Sequence, residues 1–180
     1  RDAPPGRGAG IMSEPVPVTV ITGASAGIGL ALAKVFARND HRLVLVARRQ
    51  NKLDALADAI AADGRPMPDV VALDLSVYVA VDALARELAS RNLEAATIVN
   101  NAGVGLTGRA AGLDRGEQLA MIGLNVRALT ELSLAFVDSL QRHRGGNRRG
   151  QNEQRHDGVG QGVEDLAEID QCRSQRLHHT

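Results

Sequence analysis

The feature that most constrains this chain is a short β-branched run that leads straight into a glycine-rich turn. Residues 18–22 predict a buried strand, and the turn after it contains Gly23, Gly27 and Gly29. Apolar side chains then recur at helical spacing as far as Arg38, so a helix follows the turn. A strand, a glycine turn and a helix N-terminus in this order favour a site for phosphate groups.

The turn suits the pyrophosphate of a dinucleotide. Its three glycines leave no Cβ atoms in the way of a close approach, and the helix N-terminus adds partial positive charge. The hydroxyls of Thr22 and Ser25 can either hold the turn or donate to phosphate. The Gly-x-x-x-Gly-x-Gly spacing is a variant of the usual dinucleotide fingerprint, and a plain strand-to-helix turn is the alternative interpretation.

Strands and helices alternate along the chain up to Leu140. The patterns predict strands at 18–22, 43–47, 69–73 and 95–99, and helices at about 27–38, 50–62, from a Ser76 cap through Leu88, and 116–140. Continuous apolar strands between helices are typical of a parallel sheet covered on both faces. We therefore predict an α/β fold, a doubly wound, Rossmann-like parallel sheet with the strand order 3-2-1-4.

The two ends of the chain lack this pattern. Residues 1–15 are rich in Pro, Gly and Arg, so we expect a disordered lead-in, with Met12 as a candidate start. Residues 141–180 are rich in Gln, Arg, Gly and His, and they offer too little apolar surface to offset the entropy of ordering them. We expect a truncated dinucleotide-binding domain at 16–140, followed by a disordered, irregular tail.

Composition excludes several classes of function. The formal net charge is zero, so nothing global favours binding to nucleic acid or to an acidic membrane surface. The single cysteine, Cys172, cannot form an internal disulfide and fits a reducing, cytoplasmic location. Neither Cys172 nor the pair His178 and His179 has the spacing of a metal site, so we expect no metal.

Four motifs together resemble the short-chain dehydrogenase/reductase (SDR) family. They are residues 22–29, Asp74 with Leu75, the segment 100–103 (Asn-Asn-Ala-Gly) and residues 124–126 (Leu-Asn-Val). The resemblance covers about 16–140, the cofactor-binding part of that family. It implies that these residues bind the cofactor: Thr22, Gly23, Ser25, Gly27, Ile28, Gly29, Asp74, Leu75, Asn101, Ala102 and Gly103. Asp74 and Leu75 would flank the adenine, and 101–103 would line the nicotinamide side.

The charge at the end of the second strand favours NADP(H). Sites for NAD place a carboxylate there to bind the ribose 2′-hydroxyl, whereas a 2′-phosphate requires arginine. This strand ends in Arg48 and Arg49, and the guanidinium fork matches phosphate geometry. The alternative is that Arg48 and Arg49 merely end a strand in solvent, which applies most readily to Arg49. Asp74 can also be a simple turn residue.

The catalytic set that the resemblance implies is incomplete in these residues. Asn125 corresponds to the asparagine of an Asn-Ser-Tyr-Lys set, in which it helps to hold a proton-relaying water; a solvated or core polar residue is the alternative. The only tyrosine is Tyr78, and no lysine follows Lys52. A reading-frame change or truncation near residue 141 would explain the loss of pattern.

The sequence thus leaves three functions open. The first is an oxidoreductase that transfers hydride between NADP(H) and a small carbonyl or alcohol substrate, catalytically incomplete as written. The second is a non-catalytic NADP(H)-binding or interaction protein. The resemblance implies that a second copy can pair with it through the long fourth helix, whose apolar stripe comprises Leu119, Ile122, Val126, Leu129, Leu132 and Phe136. The third is a frameshifted product without function.

Overall fold

The computed structural model of the chain describes residues 14–145. Most of the predicted lead-in and the predicted irregular tail beyond residue 145 lie outside this range. All four predicted strands and the four predicted helical segments lie within it.

Four strands and six α-helices form the described part of the chain. The strands are β1 (Val16–Thr22), β2 (Leu43–Ala47), β3 (Asp69–Ala72) and β4 (Leu93–Val99). The helices are α1 (Gly27–Arg38), α2 (Gln50–Ala62), α3 (Ala80–Ser90), α4 (Arg115–Ile122), α5 (Leu129–Ala135) and α6 (Val137–Gly145). A 3-10 turn at Ala110–Gly112 precedes α4, and a π-helical segment at Gly123–Ala128 joins α4 to α5.

The four strands form one parallel sheet in the order β3-β2-β1-β4, which confirms the predicted fold class. Thr22 at the end of β1 pairs with Val46 of β2, and Ile21 pairs with Val99 at the end of β4. The carboxyl ends of these strands therefore lie side by side. In doubly wound sheets the ligand crevice lies outside these ends, where the chain order reverses, which here is between β1 and β4.

The sheet separates two apolar cores, because alternate residues of each strand point to opposite faces. On one face Ile21 and Leu45 pack with α1 and α2, including Ala33 and Leu53. On the other face the partners come from α3 and α5. The buried members of that second core include Val20, Val44, Val46, Leu84, Leu88, Leu132 and Phe136. Burial on both faces explains why the strands read as continuous apolar runs.

The prediction that Ser76 caps the third helix is wrong. The helix begins four residues later, at Ala80, and Val79 at its N-cap makes no side-chain cap. Ser76 instead donates both its amide (3.0 Å) and its hydroxyl (2.7 Å) to Oδ1 of Asp74. A short polar side chain that bonds its neighbours in this way stabilises a turn in competition with the helix.

The predicted single helix at 116–140 is also interrupted. It starts one residue earlier, at Arg115, with Asp114 accepting a hydrogen bond at its N-cap from the Glu117 amide (2.9 Å). It widens into the π-helical segment and ends at Ala135, after which α6 departs at an angle of 55°. No single helix among residues 14–145 is long and apolar enough to cross a bilayer, and only this bent pair passes on length and composition.

The last helix extends past the predicted domain limit at Leu140. Glu94 of β4 accepts hydrogen bonds from Arg142 Nε (2.9 Å) and pairs with His143 Nε2 (2.9 Å). The hydrogen bond from Arg142 lowers the pKa of Glu94 below its ordinary value; partial burial opposes this, and the contact with His143 adds to the lowering. These contacts tie α6 to the start of β4.

Candidate nucleotide site at the carboxyl edge of the sheet

A cleft of about 450 Å³ opens at the carboxyl ends of the strands. This volume lies within the range of small-molecule sites. Eleven of the thirteen residues predicted to bind a cofactor line it: Gly23, Ser25, Gly27, Ile28, Arg48, Arg49, Asp74, Leu75, Asn101, Ala102 and Gly103. The structure therefore brings together motifs that are up to eighty residues apart in sequence.

The remaining two residues, Thr22 and Gly29, lie beneath the cleft rather than in its lining. A Cβ atom at Gly29 would overlap the Gly23 carbonyl oxygen and Nδ2 of Asn101, so only glycine fits. Gly23 has a φ of +69°, and a Cβ there would lie 2.9 Å from the Cα of Ala102. These two glycines let the turn pack against the segment that follows β4.

Gly27 has a different role. Its φ is +58°, and a Cβ there would meet nothing within 4 Å, so glycine is required for the backbone conformation and not for space. The helix α1 begins at this residue, with Ala26 supplying no side-chain cap and no acidic residue in the first turn. No side chain therefore caps the first amides of α1, and binding of an anion there stays a prediction.

The hydroxyl of Thr22 holds the turn, which is one of the two roles predicted for it. The residue is 1% exposed. Its Oγ1 donates to the Val99 carbonyl (3.1 Å) and accepts from the amides of Asn101 and Ala102 (3.0 Å each). In return, Nδ2 of Asn101 donates to the Thr22 carbonyl (2.9 Å). The ends of β1 and β4 are therefore locked together below the cleft.

Both arginines after β2 line the cleft, and both have an existing polar partner. Arg49 Nη2 donates to Oγ of Ser25 in the glycine turn (3.1 Å). Arg48 Nη1 lies 3.9 Å from Oδ2 of Asp74, and its side chain is 73% exposed. The two guanidinium groups thus lie over one end of the cleft, between the glycine turn and Asp74.

Asp74 is held ionised at this end of the cleft. Partial burial favours its neutral form, but two hydrogen bonds from Ser76 and the positive charge of Arg48 outweigh that effect and lower the pKa of Asp74. The side chain is both a turn residue and part of the cleft lining. The two predicted interpretations of Asp74 are therefore compatible.

Asn125 lies in the π-helical segment, next to the opposite end of the cleft. Its Oδ1 accepts from the Val104 amide (2.9 Å), and its Nδ2 donates to the Val104 carbonyl (2.8 Å). Both polar ends of the side chain therefore hold the backbone that follows Gly103. Single π-helical turns are frequent at functional sites, but nothing in the sequence predicted one here.

Sequence reasoning missed five residues that complete the cleft lining: Ala26, Val46, Ala47, Leu73 and Leu124. Each of them lies within two residues of a predicted site residue, so proximity in sequence alone would have found them. Leu124 adjoins Asn125 in the π-helical segment.

The apolar stripe predicted for the long fourth helix comprises Leu119, Ile122, Val126, Leu129, Leu132 and Phe136. Part of that stripe is core and part is surface. Leu132 and Phe136 are buried, whereas Leu119, Ile122 and Val126 are each more than half exposed. Pairing of two copies through this exposed part stays a prediction, which the molar mass of the chain in solution tests.

Among residues 14–145 no group of three His, Cys, Asp or Glu side chains is arranged to hold a metal ion.

The parallel sheet, the glycine turn at an uncapped helix N-terminus and the cleft at the strand ends define a Rossmann-like dinucleotide-binding domain. The family follows from comparison with known proteins. A sequence model of the short chain dehydrogenases matches residues 17–147, and the chain belongs to that family.

Individual relatives agree with this assignment. A sulfoacetaldehyde reductase from Chromohalobacter salexigens is 36% identical over 121 residues, which are 67% of this chain and 47% of that protein. The structure of an L-sorbose reductase from Gluconobacter frateurii, complexed with NADPH and L-sorbose, matches with a TM-score of 0.65 and 33% identity, covering 74% of this chain and 51% of the reductase.

A third comparison is with a metagenomic short-chain oxidoreductase in complex with NADP. Its TM-score is 0.64 at 35% identity, over 71% of this chain and 58% of the oxidoreductase. The chain spans about half the length, or less, of the curated relatives that it matches.

Proposed function

We propose that residues 14–145 are the NADP(H)-binding part of an oxidoreductase that interconverts a carbonyl and an alcohol. The observation that carries this proposal is the pair of arginines at the end of β2, which lie over the same cleft as the glycine turn. Relatives whose structures contain NADP or NADPH support it, because they share the fold at more than 30% identity.

The residues present fit a dinucleotide along the whole cleft. The open amides at the start of α1 match the pyrophosphate, since Gly27 leaves the approach clear. Arg48 and Arg49 match a 2′-phosphate, because charge-assisted bonds between guanidinium and phosphate are short and strong. Asp74 and Leu75 would flank the adenine, and the segment 101–103 would lie along the nicotinamide ribose.

The bound cofactor would supply a hydride to the carbonyl carbon of the substrate. The chain's own contribution is to bind and orient that cofactor. We assign Asn125 a positioning role at the reactive end, since both polar atoms of its side chain hold Val104 beside the predicted nicotinamide site. The substrate is a small carbonyl or alcohol, in keeping with the reductases that the chain resembles.

Titration with NADPH and NADH tests the cofactor assignment. We expect the 180-residue polypeptide to bind NADPH at least about tenfold more tightly than NADH, a difference of about 1.4 kcal/mol. Replacing Arg48 by Ala should weaken NADPH about tenfold and leave NADH within about twofold, since only NADPH carries the 2′-phosphate. Nicotinamide fluorescence reports both affinities.

A matched control removes an arginine outside the cleft. Arg38 is exposed in the last turn of α1, eleven residues beyond the helix start, or about 16 Å along its axis. Arg38→Ala should leave both affinities unchanged. Equal affinities for NADPH and NADH, or an equal loss in both arginine variants, would contradict the assignment.

Turnover distinguishes an enzyme from a binding protein. The family's general acid/base is a tyrosine with a lysine four residues later, and residues 1–180 contain no such pair. Since a positioned acid/base contributes about 10²–10⁴-fold to rate, we expect this polypeptide to bind NADPH without consuming it when small aldehydes and ketones are added. Oxidation of NADPH at a rate above the no-enzyme control would refute this expectation.

A further inference from the structure

The π-helical segment contains a second side chain that reaches a cleft loop. Arg127, two residues after Asn125, donates from Nη2 to the carbonyl oxygen of Ser76 (2.6 Å). Ser76 in turn donates twice to Asp74, which lines the cleft beside Arg48. A chain of direct contacts therefore connects Arg127 to the end of the cleft that carries the arginines.

The guanidinium of Arg127 is held in place from three sides. Its Nη1 bonds Oε2 of Glu131 (2.9 Å), and its carbon Cζ lies 4.1 Å from the centre of the Tyr78 ring. The side chain is only 19% exposed. A fixed, planar cation with two hydrogen bonds and an aromatic contact is preorganised, so its bond to Ser76 costs little further entropy.

Residues 73–79 connect β3 to α3, and only the first part of this loop is anchored in the core, through the buried Leu75. In the outer part, which Arg127 holds, Val77, Tyr78 and Val79 are each more than half exposed. The Leu73 amide bonds the Ala47 carbonyl of β2 (2.9 Å), but the described backbone bonds of the outer part are local turns such as that from the Val77 amide to the Asp74 carbonyl (3.2 Å). A segment with little buried apolar surface opens easily unless an outside contact restrains it.

We propose that Arg127 is a positioning residue for the adenine half of the cofactor, acting through the Ser76 carbonyl on Asp74 and Leu75. Asn125 then positions the nicotinamide half, so one π-helical segment holds the two ends of the cleft through two separate side chains. The role assigned to Arg127 rests on the proposed NADP(H) site, whereas its restraint of the Ser76 loop does not.

Two small probe ligands, each one half of the cofactor, test whether Arg127 acts on the adenine half alone. The variant Arg127→Met keeps a long apolar stem over Tyr78 but removes the donor and the charge. We expect it to weaken binding of 2′,5′-ADP, the adenine half, about tenfold, and binding of reduced nicotinamide mononucleotide less than about twofold. Arg127→Lys returns a donor without the planar fork and should recover part of the loss.

The control is Arg86→Met, the same chemical change at an exposed arginine of α3. It should leave both probes unaffected. Equal weakening of the two probes by Arg127→Met would mean a general loss of structure, and no weakening of 2′,5′-ADP relative to the control would mean no positioning; either result overturns the proposal.

Hydrogen exchange provides a readout that needs no ligand. In Arg127→Met the Ser76 amide, which donates to Asp74, should exchange about tenfold faster, while the Asn101 and Ala102 amides keep the wild-type rate. Unchanged exchange at Ser76 would refute the restraint. If exchange changes as expected but the wild-type chain binds neither probe, the proposed function fails and with it the role of Arg127 in cofactor binding, while the loop restraint stands.

Discussion

Replacing Thr22 by valine should uncouple the turn from the segment after β4. Valine keeps the shape of threonine but removes the hydroxyl that accepts from the amides of Asn101 and Ala102. The Asn101 amide retains a second acceptor, the Val99 carbonyl at 3.0 Å, so the Ala102 amide is the donor that loses its described partner.

The expected cost follows from that single donor. Leaving one buried donor unsatisfied costs about 1–3 kcal/mol, and because Ala102 is only half-buried we expect the lower part of this range, about 1–2 kcal/mol. The segment 101–103 also lines the cleft, so NADPH affinity should fall about fivefold or more as the segment loosens.

Thr22→Ser is the matched control. It keeps the hydroxyl and removes a buried methyl group, which costs a comparable amount, about 0.5–1.5 kcal/mol, through the transfer and cavity terms. Stability alone therefore cannot separate the two variants. Urea unfolding should show that both are destabilised, whereas NADPH titration and hydrogen exchange at Ala102 should change only in the valine variant. Equal affinity and equal Ala102 exchange in both variants would refute the reasoning.

Three further outcomes are expected. Gly29→Ala should prevent stable folding, because the structure has no room for a Cβ there, while Gly112→Ala, with nothing within 4 Å, should unfold at the wild-type urea concentration. Burial lowers the pKa of His41, and the negative charge of Asp40 opposes this only in part. Because the folded state then favours the neutral ring, the free energy of unfolding should fall as the pH drops below about 6.5. A His41→Gln variant whose stability shows the same dependence on pH between about pH 7.5 and 5.5 would contradict this. Glu94→Gln should cost at most about 1 kcal/mol at pH 7, since Arg142 is exposed, and a larger loss in urea unfolding would mean that α6 supports the whole sheet.

The sheet and most of the cleft could be predicted because the sequence encodes them locally. Continuous runs such as 43–47 are buried on both faces and bounded by turns, so their length and position identify strands directly. Parallel strands then bring their carboxyl ends to one edge, which places Gly23, Arg48 and Asp74 together without any knowledge of side-chain contacts.

What could not be predicted depends on contacts between distant segments. Ser76 looked like a helix cap, but its hydroxyl has a nearer acceptor in Asp74, and the helix start moved to Ala80. The π-helical segment has an ordinary helical pattern in sequence. In the structure Asn125 bonds Val104 and Arg127 bonds Ser76, and both partners belong to loops that only the folded chain brings within reach.

The partners of the two arginines set how strongly the cleft can select a 2′-phosphate. Arg48 faces the ionised Asp74 at 3.9 Å, and Arg49 bonds Ser25, so a phosphate has to replace existing contacts. At Arg48 the contact to be replaced is an exposed ion pair, worth only about 0.2–1 kcal/mol, whereas a hydrogen bond between charged groups contributes about 1.5–3 kcal/mol. The exchange therefore favours the phosphate at Arg48, while at Arg49 one hydrogen bond of the guanidinium replaces another. Because Ser76 holds Asp74 through Oδ1, we expect the carboxylate to stay in place when Arg48 turns to a phosphate, so that binding of the phosphate does not require residues 73–79 to move.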